Sequence, residues 1–301
     1  MALNKEKLIE FAFRNVDIGD DCDVLEADCK NIIFLFDNCE IIIPKENRFF
    51  VNVNCDGIQR MVLYRRARQY DEELAESGLS VGNETLAYTG TYDFGHTSAE
   101  WGSVISLGIS GLRKRISEYS KKAKSDKKKQ RFYNGILKVY DAALRFMKRA
   151  SEEAEKCGKK QMAEGIANLT ENAPQNLFEA MQTSIIYYVM QQMFDGTNLR
   201  TLGRLDSLFY PYYRKESKEN VKELVAAYFK EIDMLGAEAN IPFAIGGTDQ
   251  DGKSMINELS YIFLEMYRTV GTSNTKLHIL YEENTPDDFT ESAFKGIRDG
   301  N

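Results

Sequence analysis

Histidine is nearly absent from the 301 residues: only His96 and His278 occur. A metal centre built on imidazoles is therefore short of ligands before any geometry is considered. Cysteine does not fill the gap. Cys22, Cys29, Cys39, Cys55 and Cys157 are odd in number, and the first four are separated by seven, ten and sixteen residues without a C-x-x-C pair. That spacing argues against zinc and iron–sulfur frameworks, and the thiols read as reduced, in a cytoplasmic chain. Long apolar runs are also missing. The longest, Ile32 to Phe36 and Ile185 to Met190, fall far short of the ~20 residues of a spanning helix. The opening MALNKEKLIEFAFRN scatters charge through the place where a secretory leader would keep an apolar core, so no membrane targeting is expected. With a net charge of −7 and a pI near 5.2, nothing global favours nucleic acid. The one basic run, Lys121 to Arg131, lacks interleaved aromatics for base stacking and reads as a mobile solvated connection.

What the chain does contain is apolar surface at helical spacing. Phe178, Met181, Ile185, Val189 and Met193 recur at threes and fours, Pro174 suits the first turn, and Asp195-Gly196 suits the stop. Ile186, Tyr187 and Tyr188 widen the stripe, so this helix is expected to be central and buried. Behind it comes Leu199-Arg200-Thr201-Leu202-Gly203-Arg204-Leu205-Asp206, a polar segment set among apolar residues. Buried there, Arg204 and Asp206 need partners; a structural ion pair is the first reading and a direct catalytic role the second.

Around this centre the chain alternates helices with short strands. A short helix is expected over 3–14, strands or extended segments in NIIFLFDNCEIIIPKENRFFVNVN from Asn31, and a helix over 61–77 whose Arg65, Arg66 and Arg68 are balanced by Asp71, Glu72 and Glu73. The loop GTYDFG, Gly90 to Gly95, leads to His96, and Thr97 or Ser98 can cap a helix running through Trp101 to about Tyr119, with Glu100 near the capping-box position. Further helices are expected over 132–155, 159–170, 217–239, 255–270 and from Thr285 to Arg298, with strands over 241–245 and 277–281. A histidine where a loop meets a helix start is a candidate contact, although a hydrogen-bonded structural role is an equal reading.

Gly247 to Ser254, GTDQDGKS, is a literal G-x-x-x-x-G-K-S between a strand and a helix, the pattern of a phosphate-binding loop. Asp249 and Asp251 would oppose a phosphate there, and fewer than fifty residues follow Ser254, so a tight glycine- and aspartate-rich turn is the preferred reading. A calcium loop fails because no glutamate stands at the required offset after Gly252. No nucleophile elbow occurs.

Three blocks in sequence order carry a resemblance. The first is Ala173-Pro174 with Phe178-Glu179-Ala180 and Gln182, then Gly203-Arg204-Leu205-Asp206 and Tyr210-Pro211-Tyr212-Tyr213. Next comes Gly246-Gly247-x-Asp249-x-x-Gly252 with Asn257-Glu258-Leu259-Ser260 and Leu264-Glu265; the last is Thr285-Pro286-Asp287-Asp288-Phe289 with Ile297-Arg298-Asp299-Gly300. Together with Gly95-His96-Thr97 and the stretch from Leu107 to Leu112, they resemble the pyruvate formate-lyase family of glycyl radical enzymes over roughly residues 90 to 301.

The resemblance implies an α/β fold, half of a ten-stranded barrel surrounded by helices: a short helix and extended segments over 1–60, then the helical shell and first half-barrel over 61–301. It implies a glycyl radical, installed by an activating enzyme that uses S-adenosylmethionine and an iron–sulfur cluster. The radical passes to a cysteine thiyl for C–C cleavage, dehydration or elimination of a small polar metabolite, or acyl transfer in anaerobic metabolism. None of the five cysteines sits in the family's G-C-x-E loop, and its R-V-x-G-Y glycine loop is absent; Ser207 and Leu199 also depart from the family's glutamine and serine. The expectation is an N-terminal portion, inactive alone, that needs a C-terminal half or complementary chain and forms a homodimer when complete. It would expose an apolar face where strands are missing. A degenerate scaffold or binding module of the same fold is the alternative. The resemblance points to His96, Tyr92, Thr201 and Phe243 as substrate contacts, with Arg204, Asp206 and Asn257 as a structural polar network.

Overall fold

The computed structural model describes residues 24–50, 52–54, 98–195, 200–213, 217–235 and 241–298. The helices expected over 3–14 and 61–77 lie outside them, as does the 90–95 loop with Tyr92 and His96. Helix α1 spans Val24–Asn38, where the run from Asn31 to Phe36 was expected to be extended. Packing overrides the β-preference of Ile-Ile-Phe-Leu-Phe. Leu35 and Phe36 are buried, and the Phe36 ring stacks on Phe146 at 5.7 Å. Arg149 donates to the carbonyls of Phe36 and Cys39, satisfying acceptors that the end of α1 would leave open. Among the described residues of this region, strand structure is confined to the antiparallel pair β1 (Glu40–Ile42) and β2 (Asn52–Asn54).

Helix α2, Trp101–Lys122, starts at Glu100, whose own carboxylate accepts from the Ser103 N–H, in place of the Thr97 or Ser98 cap expected. It kinks at Gly108, where φ is 63° and an added Cβ would lie 3.4 Å from both the Asn172 carbonyl and the Pro174 ring. Helix α3, Lys127–Lys156, follows at once. The basic run is therefore helical at both ends, with a turn over 123–126 in which Asp126 accepts from the Lys129 N–H. Alanines 142, 143, 150 and 154 with Phe146 and Met147 form the buried face of α3, and α4 (Lys160–Glu171) packs on it.

Helix α5, Leu177–Asp195, is the buried centre that its sequence predicts, although it begins three residues after Pro174 with Asn176 accepting from the Glu179 N–H. Most of its side chains are inaccessible, and α1, α2, α4, α6 (Leu205–Tyr213) and α7 (Lys218–Leu235) all pack on it. Two of its buried polar side chains are bonded to neighbouring elements: Ser184 shares a 2.9 Å hydrogen bond with the Tyr228 hydroxyl, and Gln182 accepts from the Phe50 N–H and donates back to the Phe50 carbonyl.

The remaining elements are a βαβ unit and a final helix: β3 (Ile241–Gly246), α8 (Glu258–Val270), parallel β4 (Thr275–Leu280) and α9 (Asp287–Arg298). On α9, Phe289 is buried while Phe294 and Ile297 are exposed, as is Tyr281 after β4. No helix among the described residues is long and apolar enough to cross a membrane.

One buried carboxylate ties the N-terminal segment to this body. Glu231 of α7, 5% exposed, accepts from the Arg48 N–H at 2.6 Å and the Phe49 N–H at 2.8 Å. Burial pushes its carboxyl up to about 7, against the two amides and the charges of Lys159 and Arg48. A raised acid favours the folded state below its unfolded value of 4.5 and loses that advantage as pH climbs through 7. Relative to Glu231→Gln, the wild-type chain is thus expected to lose on the order of 3 kcal/mol between pH 4.5 and 8; urea melts at both pH values measure it, and an increase would contradict it.

Candidate functional site at the open face of the parallel sheet

Three chain segments run side by side where the helices leave one sheet face uncovered. Residues 202–204 form the first lane: the Leu202 N–H donates to the Pro242 carbonyl at 2.9 Å, the Ala244 N–H to the Gly203 carbonyl at 2.8 Å, and Arg204 pairs in parallel with Ala244. β3 and β4 follow, with Pro242 opposite Lys276, Ala244 opposite His278, and Gly246 opposite Leu280. Only these few residues after Arg200 join the sheet. Leu205–Tyr213 turns away from the sheet into α6.

Side chains alternate between the two faces. Phe243 and Ile245 point to the helices, and the Phe243 ring packs within 5.2–6.3 Å of Phe229, Tyr267 and Phe263. Phe243 is only 1% exposed, so the β3 positions on the open side are its neighbours Pro242 and Ala244. Lys276, His278 and Leu280 are exposed on β4. Thr201 is half-buried at the start of the first lane; its hydroxyl accepts from the Gly203 N–H at 3.1 Å, and its carbonyl accepts the Trp101 indole N–H at 2.8 Å.

At the C-terminal end of β3 the backbone turns through Gly246 and Gly247, at φ 78° and 81°. A Cβ on Gly246 would lie 3.1 Å from the Leu280 carbonyl, so both conformation and space require glycine. Asp206, fully buried, fixes this corner. It accepts from the Gly246 N–H at 2.8 Å, the Ser260 hydroxyl at 2.6 Å, and the Ser207 N–H at 2.7 Å. Ser260 accepts in turn from the Asn257 N–H, and Asn257 caps α8 through the N–H groups of Leu259 and Ser260. Burial pushes the Asp206 carboxyl up despite these donors. The expected Arg204–Asp206 ion pair is not formed: neutral donors satisfy the aspartate, and Arg204 donates from Nη1 to the Thr248 carbonyl at 3.1 Å. Two residues in one short turn need not face each other, and here one serves the corner and the other the loop.

The G-x-x-x-x-G-K-S stretch is a closed turn. Asp249 accepts from the N–H groups of Asp251 and Lys253, the Gly252 N–H donates to the Asp249 carbonyl, and that of Met255 to Gly247. Amides that would cradle a phosphate are thus used internally, and α8 begins only at Glu258. Among the described residues no group of three or more His, Cys, Asp or Glu could hold a metal ion. The described cysteines lie on or at the ends of α1 and α3, and burial pushes the Cys39 thiol up to about 11.

The family profile described as pyruvate formate lyase-like matches residues 59–301. The chain belongs to this family. Among sequence relatives, the 4-hydroxyphenylacetate decarboxylase glycyl radical subunit of Clostridioides difficile is 25% identical over 192 residues, 54% of this chain and 21% of that protein. The isethionate sulfite-lyase of Bilophila wadsworthia is 24% identical over 239 residues, 66% of this chain and 28% of the relative. A glycyl radical enzyme from Archaeoglobus fulgidus superposes with a TM-score of 0.75 at 15% identity, covering 98% of this chain and 50% of that one. Hydroxyproline dehydratase from Clostridioides difficile gives 0.76 at 15%, covering 99% and 48%. The chain spans half or less of the length of these relatives, and its three lanes share the fold of their barrels.

Of the residues singled out from the sequence, Asp206 and Asn257 meet through Ser260 and Thr201 lies beside the first lane, while the exposed Lys276 and His278 were not singled out as contacts. The alternation in TKLHIL was the available signal, since it puts both on one face of a strand. Asp206→Ala leaves the Gly246 N–H and the Ser260 hydroxyl without their acceptor and is expected to cost about 2–3 kcal/mol. Asp206→Asn, which keeps one acceptor oxygen, is expected to cost less; chemical denaturation of the two variants provides the comparison.

Proposed function

We propose that these 301 residues are the N-terminal portion of a glycyl radical enzyme, a lyase or dehydratase acting on a small polar metabolite. The observation that carries this reading is the parallel sheet of 202–204, β3 and β4, helix-packed on one face and open on the other, in a chain of this family. In such an enzyme the radical supplies hydrogen-atom abstraction, and a polypeptide outside these residues would contribute the thiyl cysteine and the radical glycine.

This chain's own contribution is positioning and exclusion. Trp101 pins the Thr201 carbonyl, which leaves the Thr201 hydroxyl at the edge of the open face as a hydrogen-bonding group. The Asp206 corner keeps the lanes in register, and the packed helix side closes the wall to water. His96 and Tyr92 are proposed to contribute further substrate contacts. An activating enzyme using S-adenosylmethionine, a cytoplasmic setting and a homodimer complete the reading.

Extending the coding sequence downstream and expressing the product without oxygen, with an activating enzyme and S-adenosylmethionine, tests it. A glycyl doublet in the electron paramagnetic resonance spectrum is expected, lost when the radical glycine is replaced by alanine. An extended frame lacking both a G-C-x-E and an R-V-x-G-Y loop would instead favour a scaffold. In the active protein His96→Ala and Thr201→Ala are each expected to lower kcat/KM by about tenfold or more, the equivalent of one substrate hydrogen bond. Unchanged turnover would remove those assignments.

A further inference from the structure

Helices α1, α2, α3 and α5 leave a cavity of about 130 Å³ where they meet. Its inner wall is buried: Phe36 of α1, Ile109 just past the Gly108 kink of α2, Ala143 of α3 and Met190 of α5. Half-buried Ile32 and Val139 put its mouth between α1 and α3. The polar side chains on its wall are two tyrosines and Gln191. The Tyr140 and Tyr187 hydroxyls engage each other, and burial pushes that of Tyr140 up. Gln191 differs, since among the described residues its Oε1 is buried without a hydrogen-bond partner. We infer that this cavity is a binding site for a small uncharged aromatic molecule with one hydroxyl or amine, whose ring fills the apolar space and whose donor meets Gln191 Oε1.

Size, charge and hydrogen bonding each narrow the occupant. An apolar cavity of about 150 Å³ stays dry and admits benzene, so a single ring is the right scale. Water fits poorly, since it needs about two to four polar partners and finds one free acceptor here. No charged side chain lines the cavity, and an ion would carry its desolvation cost into it uncompensated. Phe36, Tyr140 and Tyr187 offer ring edges and faces, and Met190 a polarisable sulfur; such contacts favour an aromatic guest over an aliphatic one. The orphaned acceptor then selects a donor, because a buried oxygen left unpaired costs free energy that a hydroxyl or amine recovers and a methyl does not. At position 143 the volume stays open, since α3 presents alanine where α1 and α2 both approach it. The site is separate from the sheet and does not depend on the proposed enzyme activity. One contact joins the two: the Tyr187 ring meets the Trp101 ring edge-on at 5.9 Å, and Trp101 holds the Thr201 carbonyl.

Trp101 is the sole tryptophan of the chain, so its emission reports on Tyr187 and the cavity behind it. The 301-residue protein is titrated with phenol, toluene and benzoate, with excitation at the red edge of the indole band and calorimetry in parallel. Saturable binding of phenol is expected, with toluene about tenfold weaker, the equivalent of one neutral hydrogen bond, and benzoate without effect. Gln191→Leu is expected to bring phenol down to the level of toluene, and Ala143→Leu to weaken both by about tenfold or more by occupying the space of the ring. Urea melts establish that each variant is folded; if Ala143→Leu is not, the Gln191→Leu comparison alone decides. No saturable binding of phenol, equal binding of phenol and toluene to the wild type, benzoate binding as tightly as phenol, or phenol affinity unchanged in Gln191→Leu overturns the site.

Discussion

The Asp206 carboxylate is the point on which the sheet depends. It lies directly after the first lane, and its oxygens reach the last residue of β3 and the first turn of α8, so one side chain joins three segments that are distant in sequence. Burying that group is costly, and the raised carboxyl reflects the cost. The surrounding donors offset it: two backbone N–H groups and two hydroxyls converge on a site that no other acceptor could serve in the same space. The glycines at 246 and 247 belong to the same constraint, since the chain must turn at once after giving its amide to Asp206.

A second anchor lies on α7. Glu231 and Gln182 hold the backbone of Arg48 to Phe50 as a neighbouring strand would, and the Lys159 ammonium bonds the carbonyls of Lys45 and Asn47. Side chains from α7, α5 and the turn before α4 thereby replace a sheet edge that this irregular stretch lacks. The α5 helix thus meets the extended N-terminal segment through Gln182, while its neighbour α6 carries the first turn after the first lane.

Much of this architecture was legible because local pattern and burial agree. The α5 stripe, the amphipathic α7 and α8, and the alternating Ile241–Ile245 each bury the face that their spacing marks. The failures have a common cause. Ile32 to Phe36 looks extended by side-chain preference and is helical because α3 offers a matching face and Arg149 closes its end. Leu205 to Tyr213 follows a sheet lane without a sequence break, yet winds into α6 once Asp206 has turned inward. The row of Arg204, Ala244 and His278 could not be read from sequence at all, because strand register is set by distant partners. The Arg204–Asp206 pairing failed for a related reason: closeness in sequence does not set direction.

The distance along the chain between the lanes has an effect on biosynthesis. Residues 204, 244 and 278 pair laterally, the first lane meeting β3 only after two helices have been made and β3 meeting β4 only after a third. A polypeptide leaving the ribosome from its N-terminus can pack α1 to α5 early, since those helices contact one another locally, but the sheet must wait for β4. Until then the first lane and β3 carry unpaired edges on a nascent chain. The helical bundle is therefore the template on which the open face is laid down, and translation order itself delays this wall until the bundle has formed.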